Sequence, residues 1–247
     1  MCIQYTKEEA FMSTDWAAHD LIVQDHYGNN LSATRADKHI CCAITAGDIG
    51  PGARLKEIDV GQKLGVSRTP LREAIAGLKA EGILSIGDDG GLRVRRLGYQ
   101  DIHALYQLRA ELESMAAALA ATQASPAERE FIAEIRARET SLVIAGSDSA
   151  ALAKINGQFH QSIALASHNS FLIETLQRLS TLMVLLGPTA YSLSARVREI
   201  GSEHDAINAA IQTHDPVAAK LAAGTHLQNA VKARLQIIAT GHKENMD

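Results

Sequence analysis

Aromatic residues are scarce in this chain: four Phe, five Tyr and one Trp make 4% of 247 residues. Proline is scarcer still, at five. With abundant Ala and Leu, this composition favours helices and weighs against a large sheet. The cysteines Cys2, Cys41 and Cys42 cannot all pair within one chain, and adjacent cysteines rarely bridge each other. A disulfide framework is thereby excluded, and the thiols read as reduced groups of a cytoplasmic protein. No apolar run approaches the roughly 18–20 residues that span a bilayer, so no membrane partner is expected. The N-terminus carries Lys7, Glu8, Glu9, Asp15 and Asp20 and lacks the apolar core of a secretory signal. Internal repeats, low-complexity tracts and a Gly-x-Ser-x-Gly nucleophile motif are all missing.

What is present is uneven. The net charge is −4, unhelpful for binding nucleic acid if evenly spread. Residues 32–98, however, hold 11 Lys and Arg against 8 Asp and Glu, a net of +3, and the remainder carries −7. A basic head on an acidic body suits a protein that meets phosphate only with its head. The length allows a small domain plus a larger one. We expect an extension over 1–31, a head over 32–98, a helical domain over 99–240 and a tail over 241–247.

The ten residues Gly65 to Ala74 are the most informative. They read as a tight turn feeding a helix, with Arg68 and Arg72 on one face and Leu71, Ile75 and Leu78 as an apolar stripe behind. Arginine can fork onto guanine or phosphate, and a helix N-terminus favours phosphate. Upstream, 55–64 forms a short amphipathic helix with Ile58, Val60 and Leu64 apolar, and Gly65 can take the positive φ of the turn. Two helices joined by such a turn make a helix-turn-helix. An earlier helix near 35–46 adds Ile40, Ala43 and Ile44 to the same core. Downstream, 83–86 and 92–96 alternate apolar and polar residues around Gly87-Asp88-Asp89-Gly90-Gly91, the pattern of a hairpin wing.

The runs Gly47 to Leu55, Leu64 to Ala74, Leu78 to Leu84 and Gly90 to Val94, in that order, resemble the GntR family of bacterial transcription regulators over about 35–97. The resemblance implies a homodimer reading double-stranded operator DNA. Arg68 and Arg72 would enter the major groove, with Ser67 and Thr69 on bases or phosphate. Arg54 would meet phosphate, and Gly91, at the wing tip, would approach the minor groove. One departure is Gly61, in mid-helix, which costs about 1 kcal/mol of helix propensity.

Beyond residue 98 the periods become long and helical. A helix over 99–123 would bury Ile102, Leu105, Leu108, Leu112, Met115 and Leu119. Further helices are expected near 127–145, 149–167, 169–186, 193–213 and 215–239. Ser125-Pro126-Ala127-Glu128 and Asp215-Pro216 supply N-terminal start signals. The fold class is therefore mainly α: a winged helix-turn-helix followed by an all-helical bundle.

Within that bundle Asn156 and His160 stand four residues apart, His204 lies on the fifth helix and His226 on the last. Three imidazoles and an amide oxygen from three helices could converge on a divalent metal; the plainer reading is histidines packed in a core. The stretches 105–113, 156–160, 203–207 and 225–227 resemble the FCD ligand-binding domain of the FadR-like branch. That resemblance implies metal ligation by Asn156, His160, His204 and His226, with zinc, or nickel or another transition metal, as cofactor. It also implies that Arg109 faces the cavity and pairs with a small organic or sugar acid effector. The alternative for Arg109 is a surface pair with Glu113 at i+4. Asn at position 156, where the branch more often has Asp, leaves a divalent site more positive and more attractive to an anion.

The resulting expectation is a metal-assisted, carboxylate-responsive repressor released by its effector, and not an enzyme. Two alternatives are a metal-dependent hydrolase with an accessory DNA-binding domain and a DNA-binding dimer without effector. Three His and a water do resemble a catalytic zinc site. Glu203, the nearest candidate base, is however adjacent to His204 on one helix, and adjacent residues point about 100° apart.

Overall fold

The computed structural model describes residues 31–187, 191 and 193–243. The extension over 1–30, with Cys2, and the tail beyond 243 lie outside the described residues. The chain divides into two compact units. Of the described residues, 31–98 and 180–187 make the first, and 99–179, 191 and 193–243 make the second.

The first unit contains α1 (Leu31–Ala46), α2 (Glu57–Leu64), α3 (Arg68–Ala80), β1 (Leu84–Ile86) and β2 (Leu92–Val94). The strands pair antiparallel with Leu84 opposite Val94 and Ile86 opposite Leu92, and Arg54 bridges to the outer side at Arg93. Gly65 closes α2 at φ +62°, a left-handed conformation in which its N–H donates to the Gln62 carbonyl and the Val66 N–H to that of Gly61. The cost of Gly61 is also explained: a Cβ there would stand 3.2 Å from Leu71 Cδ2, so glycine lets α2 approach α3 closely. Leu71, Ile75 and Leu78 are buried with Ile40, Ile44 and Val60. Ile58 is not; it is 67% exposed.

The same core takes in a residue from far downstream. The helix expected over 169–186 ends as α7 (Ser170–Leu182), and a single 3₁₀ turn, Met183–Leu186, follows. Leu185 on that turn is 2% exposed and belongs to the winged-helix core, with Leu182 and Val184 packed against it.

The second unit is built from α4 (Tyr99–Gln123), α5 (Pro126–Ile144), α6 (Ser149–Ala166), most of α7, α8 (Ser194–Gln212) and α9 (Pro216–Lys243). Ser125 and Glu128 form a reciprocal capping box at the start of α5, and Asp148 caps α6. The core centres on Phe159, Ile132, Ile207 and Ile211 with the alanines of α4. The inward face of α4 differs from expectation. Leu108 and Met115 are 47% and 40% exposed, whereas Tyr106, Arg109, Glu113, Ala116, Ala117, Ala120 and Ala121 are buried. The buried stripe is turned by about one residue, because α4 packs on α9 through small side chains. A Cβ at Gly224 of α9 would lie 3.1 Å from Ser114 Oγ of α4. No described helix is long and apolar enough to cross a membrane.

Candidate metal centre and DNA-reading face

His160 on α6, His204 on α8 and His226 on α9 converge, each offering a nitrogen within 4.8 Å of the others. Ring centroids lie 4.7–5.2 Å apart. His204 is fully buried and stacked 4.4 Å from Phe159, and His226 is 4% exposed. Each Nδ1 meets a different carboxylate. His204 Nδ1 is 2.8 Å from Glu139 Oε2 and His226 Nδ1 is 2.7 Å from Glu203 Oε2. His160 Nδ1 lies 2.7 Å from Glu113 Oε2, at an angle too bent for a well-formed hydrogen bond.

An arginine stands behind each carboxylate. Arg196 forks onto Glu203 with two 2.7 Å bonds, Arg109 reaches Glu113 at 2.6 Å, and Arg136 lies 3.4 Å from Glu139. Burial pushes Glu203 up, but the N–H groups of His226, Arg196 and Asn229 outweigh it and hold the carboxyl at about 2. Burial lowers both His204 and His226, the latter to about 3, so both rings are neutral at pH 7. A neutral ring keeps one bare nitrogen, as ligation requires. His204 Nε2 is that nitrogen, buried and without a hydrogen-bond partner. Two rings held neutral and three converging ring nitrogens fit a divalent transition metal in both chemistry and spacing.

The structure brings the three predicted histidines together. It places Asn156 one turn before His160 with Oδ1 3.3 Å from the Tyr191 hydroxyl, which donates to Glu139 at 2.7 Å. Arg109 is buried, paired with Glu113 and 5.5 Å from the Tyr106 ring centre; the Glu113 pair weighed as a surface alternative is an interior one. Beside His160 lies a small cavity of about 10 Å³, close to the size of one water, lined by Glu113, Ala116, Ala117, Ile163, Leu176 and Ile207 among others. Glu203 is occupied by His226, Arg196 and Asn229, which removes it as a candidate base. Sequence reading missed Glu113 and Glu139 as partners of the histidines. The i+4 spacing of Arg109 and Glu113 was visible, but their inward direction was not.

On the first unit, Ser67, Arg68, Thr69 and Arg72 are all exposed at the start of α3. Ser67 stands at the N-cap position and its side chain makes no capping bond. Gly91, expected at an exposed tip, is buried: Arg54 Nε lies 2.8 Å from where its Cβ would be. The exposed tip is Asp88, Asp89 and Gly90. Asp89 gathers the basic side chains around the wing, with Arg93 at 2.8 Å, Arg54 at 3.5 Å and the Gly91 N–H at 3.1 Å. The Arg93 hydrogen bond, more than any other contact, holds the Asp89 carboxyl below its usual range.

A winged helix-turn-helix joined to a helical domain with a buried histidine cluster defines a DNA-binding regulator with a sensing half. Residues 33–94 match the bacterial regulatory proteins of the gntR family, and residues 104–229 match the FCD domain. The chain belongs to the GntR family of transcription regulators and carries an FCD C-terminal domain. It is 34% identical to the Uxu operon transcriptional regulator of Escherichia coli over 75% of this chain and 79% of that protein. It is 30% identical to the Glc operon transcriptional activator of Escherichia coli, over 73% and 80%. An HTH-type regulator of Bacillus subtilis, YdhC, is 28% identical over 82% and 90%. The solved structure of Escherichia coli McbR/YncC shares the fold, with a TM-score of 0.73 over 84% of this chain and 98% of that one, at 23% identity. These relatives are named as regulators of transcription, not enzymes.

Proposed function

We propose that this protein is a homodimeric, cytoplasmic repressor that a metal-assisted small carboxylate releases from its operator. The observation that carries the reading is the convergence of three imidazoles from three helices in a domain that adjoins a small cavity. His160, His204 and His226 would hold a zinc or similar ion, with Asn156 as the fourth protein ligand. Such an ion supplies open coordination positions and positive charge for an oxyanion. Arg109 is the proposed cation for the effector's carboxylate, at the edge of the same site through its partner Glu113. A small organic or sugar acid would bind here only if the cavity beside His160, about one water in volume, widens around it.

In the head, Arg68 and Arg72 read bases in the major groove, with Ser67 and Thr69 on bases or phosphate, Arg54 on phosphate and the wing near Gly91 beside the minor groove. Two heads on a near-palindromic operator require a dimer. Exposed Leu108 and Met115, two turns apart on one side of α4, support an apolar partner face. The effector acts by favouring one arrangement of the heads, a coupling of about 1–3 kcal/mol. The relatives include one named activator and one probable repressor, of a D-xylose utilization operon; release by effector is the reading adopted here.

The test is metal analysis of gently purified, untagged protein beside an Asn156→Ala/His160→Ala/His204→Ala variant. About one equivalent of metal per chain, lost in the variant, supports the site and is followed by screening carboxylates for release of an operator fragment selected from genomic DNA. Metal-free wild-type protein would remove the metal from the mechanism and leave Arg109 and the histidines as a plain anion pocket.

A further inference from the structure

We infer that Glu139 and Glu203, with Glu113 as the third member, are positioning residues that fix the tautomer of the histidine cluster. The inference rests on the reading of that cluster as a metal site. A neutral imidazole carries a single N–H. A carboxylate accepts only, so a carboxylate at Nδ1 takes that N–H and leaves Nε2 as a bare lone pair. Glu139 does this to His204 at 2.8 Å and Glu203 to His226 at 2.7 Å, and Glu113 stands 2.7 Å from His160.

The pattern is the opposite of what a merely structural cluster needs. Three packed rings, two of them buried, with centroids about 5 Å apart would satisfy one another by alternating tautomers, each N–H donating to a neighbour's lone pair. Carboxylates on Nδ1 of His204 and His226 forbid that arrangement for those two rings. They leave Nε2 of both rings as a lone pair, and His204 Nε2 is buried without a hydrogen-bond partner. A metal ion held between the three rings would satisfy those lone pairs. The six participating residues come from α4, α5, α6, α8 and α9, so the tautomers are set by how those helices pack. Arg109, Arg136 and Arg196 offset the three negative charges, which leaves the centre free of an inner anion.

Two measurements test this. Long-range ¹⁵N–¹H spectra of the metal-free wild-type protein should show His204 and His226 as Nδ1–H tautomers; either ring in the Nε2–H form overturns the inference, whatever the metal does. Competition titration with Zn²⁺ should show Glu139→Gln and Glu203→Gln binding about 10–100-fold more weakly than wild type, with the helical circular dichroism retained. Wild-type affinity in both variants overturns the positioning role while leaving the metal site intact. Failure of wild-type protein itself to bind Zn²⁺ overturns the metal reading and the inference with it. Should a Gln variant fail to fold because its arginine is stranded, Glu203→Gln/Arg196→Met removes the unpaired charge and carries the same expected loss.

Discussion

Replacing Leu185 by Ala should destabilise a domain that ends, in sequence, some ninety residues earlier. Leu185 is 2% exposed in a core otherwise made by residues 36–94. Leu→Ala at a buried site costs about 2–5 kcal/mol, the lost transfer energy plus the cavity left behind. Leu185 stands on a single 3₁₀ turn, a short element able to settle partly into the space, so the lower part of that range applies: about 2–3 kcal/mol. A head of this size shifts its Tm by about 4–8 °C per kcal/mol, so its melting should fall by roughly 10–20 °C. Hydrogen exchange in α1 and α3, followed by mass spectrometry, should quicken about 30–140-fold where exchange needs opening of the head. Ile144→Ala, at a position 81% exposed, serves as control and should stay within about 0.5 kcal/mol. Unchanged exchange in α1 and α3 of Leu185→Ala would refute the assignment of this residue to the head core.

Arg72→Ala should weaken specific operator binding by about 1–3 kcal/mol and relax base preference, measured by fluorescence anisotropy at fixed salt; unchanged affinity counts against α3 as the reading helix. His204→Ala should abolish metal binding, but it also opens a cavity beside Phe159 and strands Glu139, so a stability loss of about 2–4 kcal/mol accompanies it; full metal retention would sink the ligand assignment. Burial raises the Asp37 carboxyl in the folded head to about 6, above its ordinary value of 3.8. The folded state therefore binds more protons between those values, and stability falls as pH rises from about 4 to about 6. The residue is only half-buried, so solvent screening limits the effect to about 1 kcal/mol; Asp37→Asn should flatten the pH profile of thermal unfolding there, and an unaltered profile contradicts the shift.

The head was legible because its signals are local. Leu71, Ile75 and Leu78 repeat at helical spacing, and Gly65 stands where a left-handed residue is needed; in the helical domain Ser125 with Glu128 likewise announces a helix start through bonds spanning four residues. The helical domain was legible as helices and less so as faces. The leucine pattern of α4 pointed to Leu108 and Met115, but the interior required the small side chains of Ala116, Ala117, Ala120 and Ala121 for close packing, and the charges of Arg109 and Glu113 for His160. Hydrophobicity alone does not weigh a buried ion pair that serves a polar centre.

The amino-acid sequence by itself determined the order of the elements, the winged head, the helix that bears Arg68 and Arg72, and the residues able to ligate a metal. Those depend on propensity, capping and period, which act over a few neighbouring residues. The tertiary structure alone decided that His160, His204 and His226 meet, that each faces its own carboxylate, and that Leu185 completes a core begun at Ala36. The meeting of histidines 22 to 66 positions apart, and the seating of Leu185 in the head core, are settled by how whole helices pack, and no local pattern encodes that geometry.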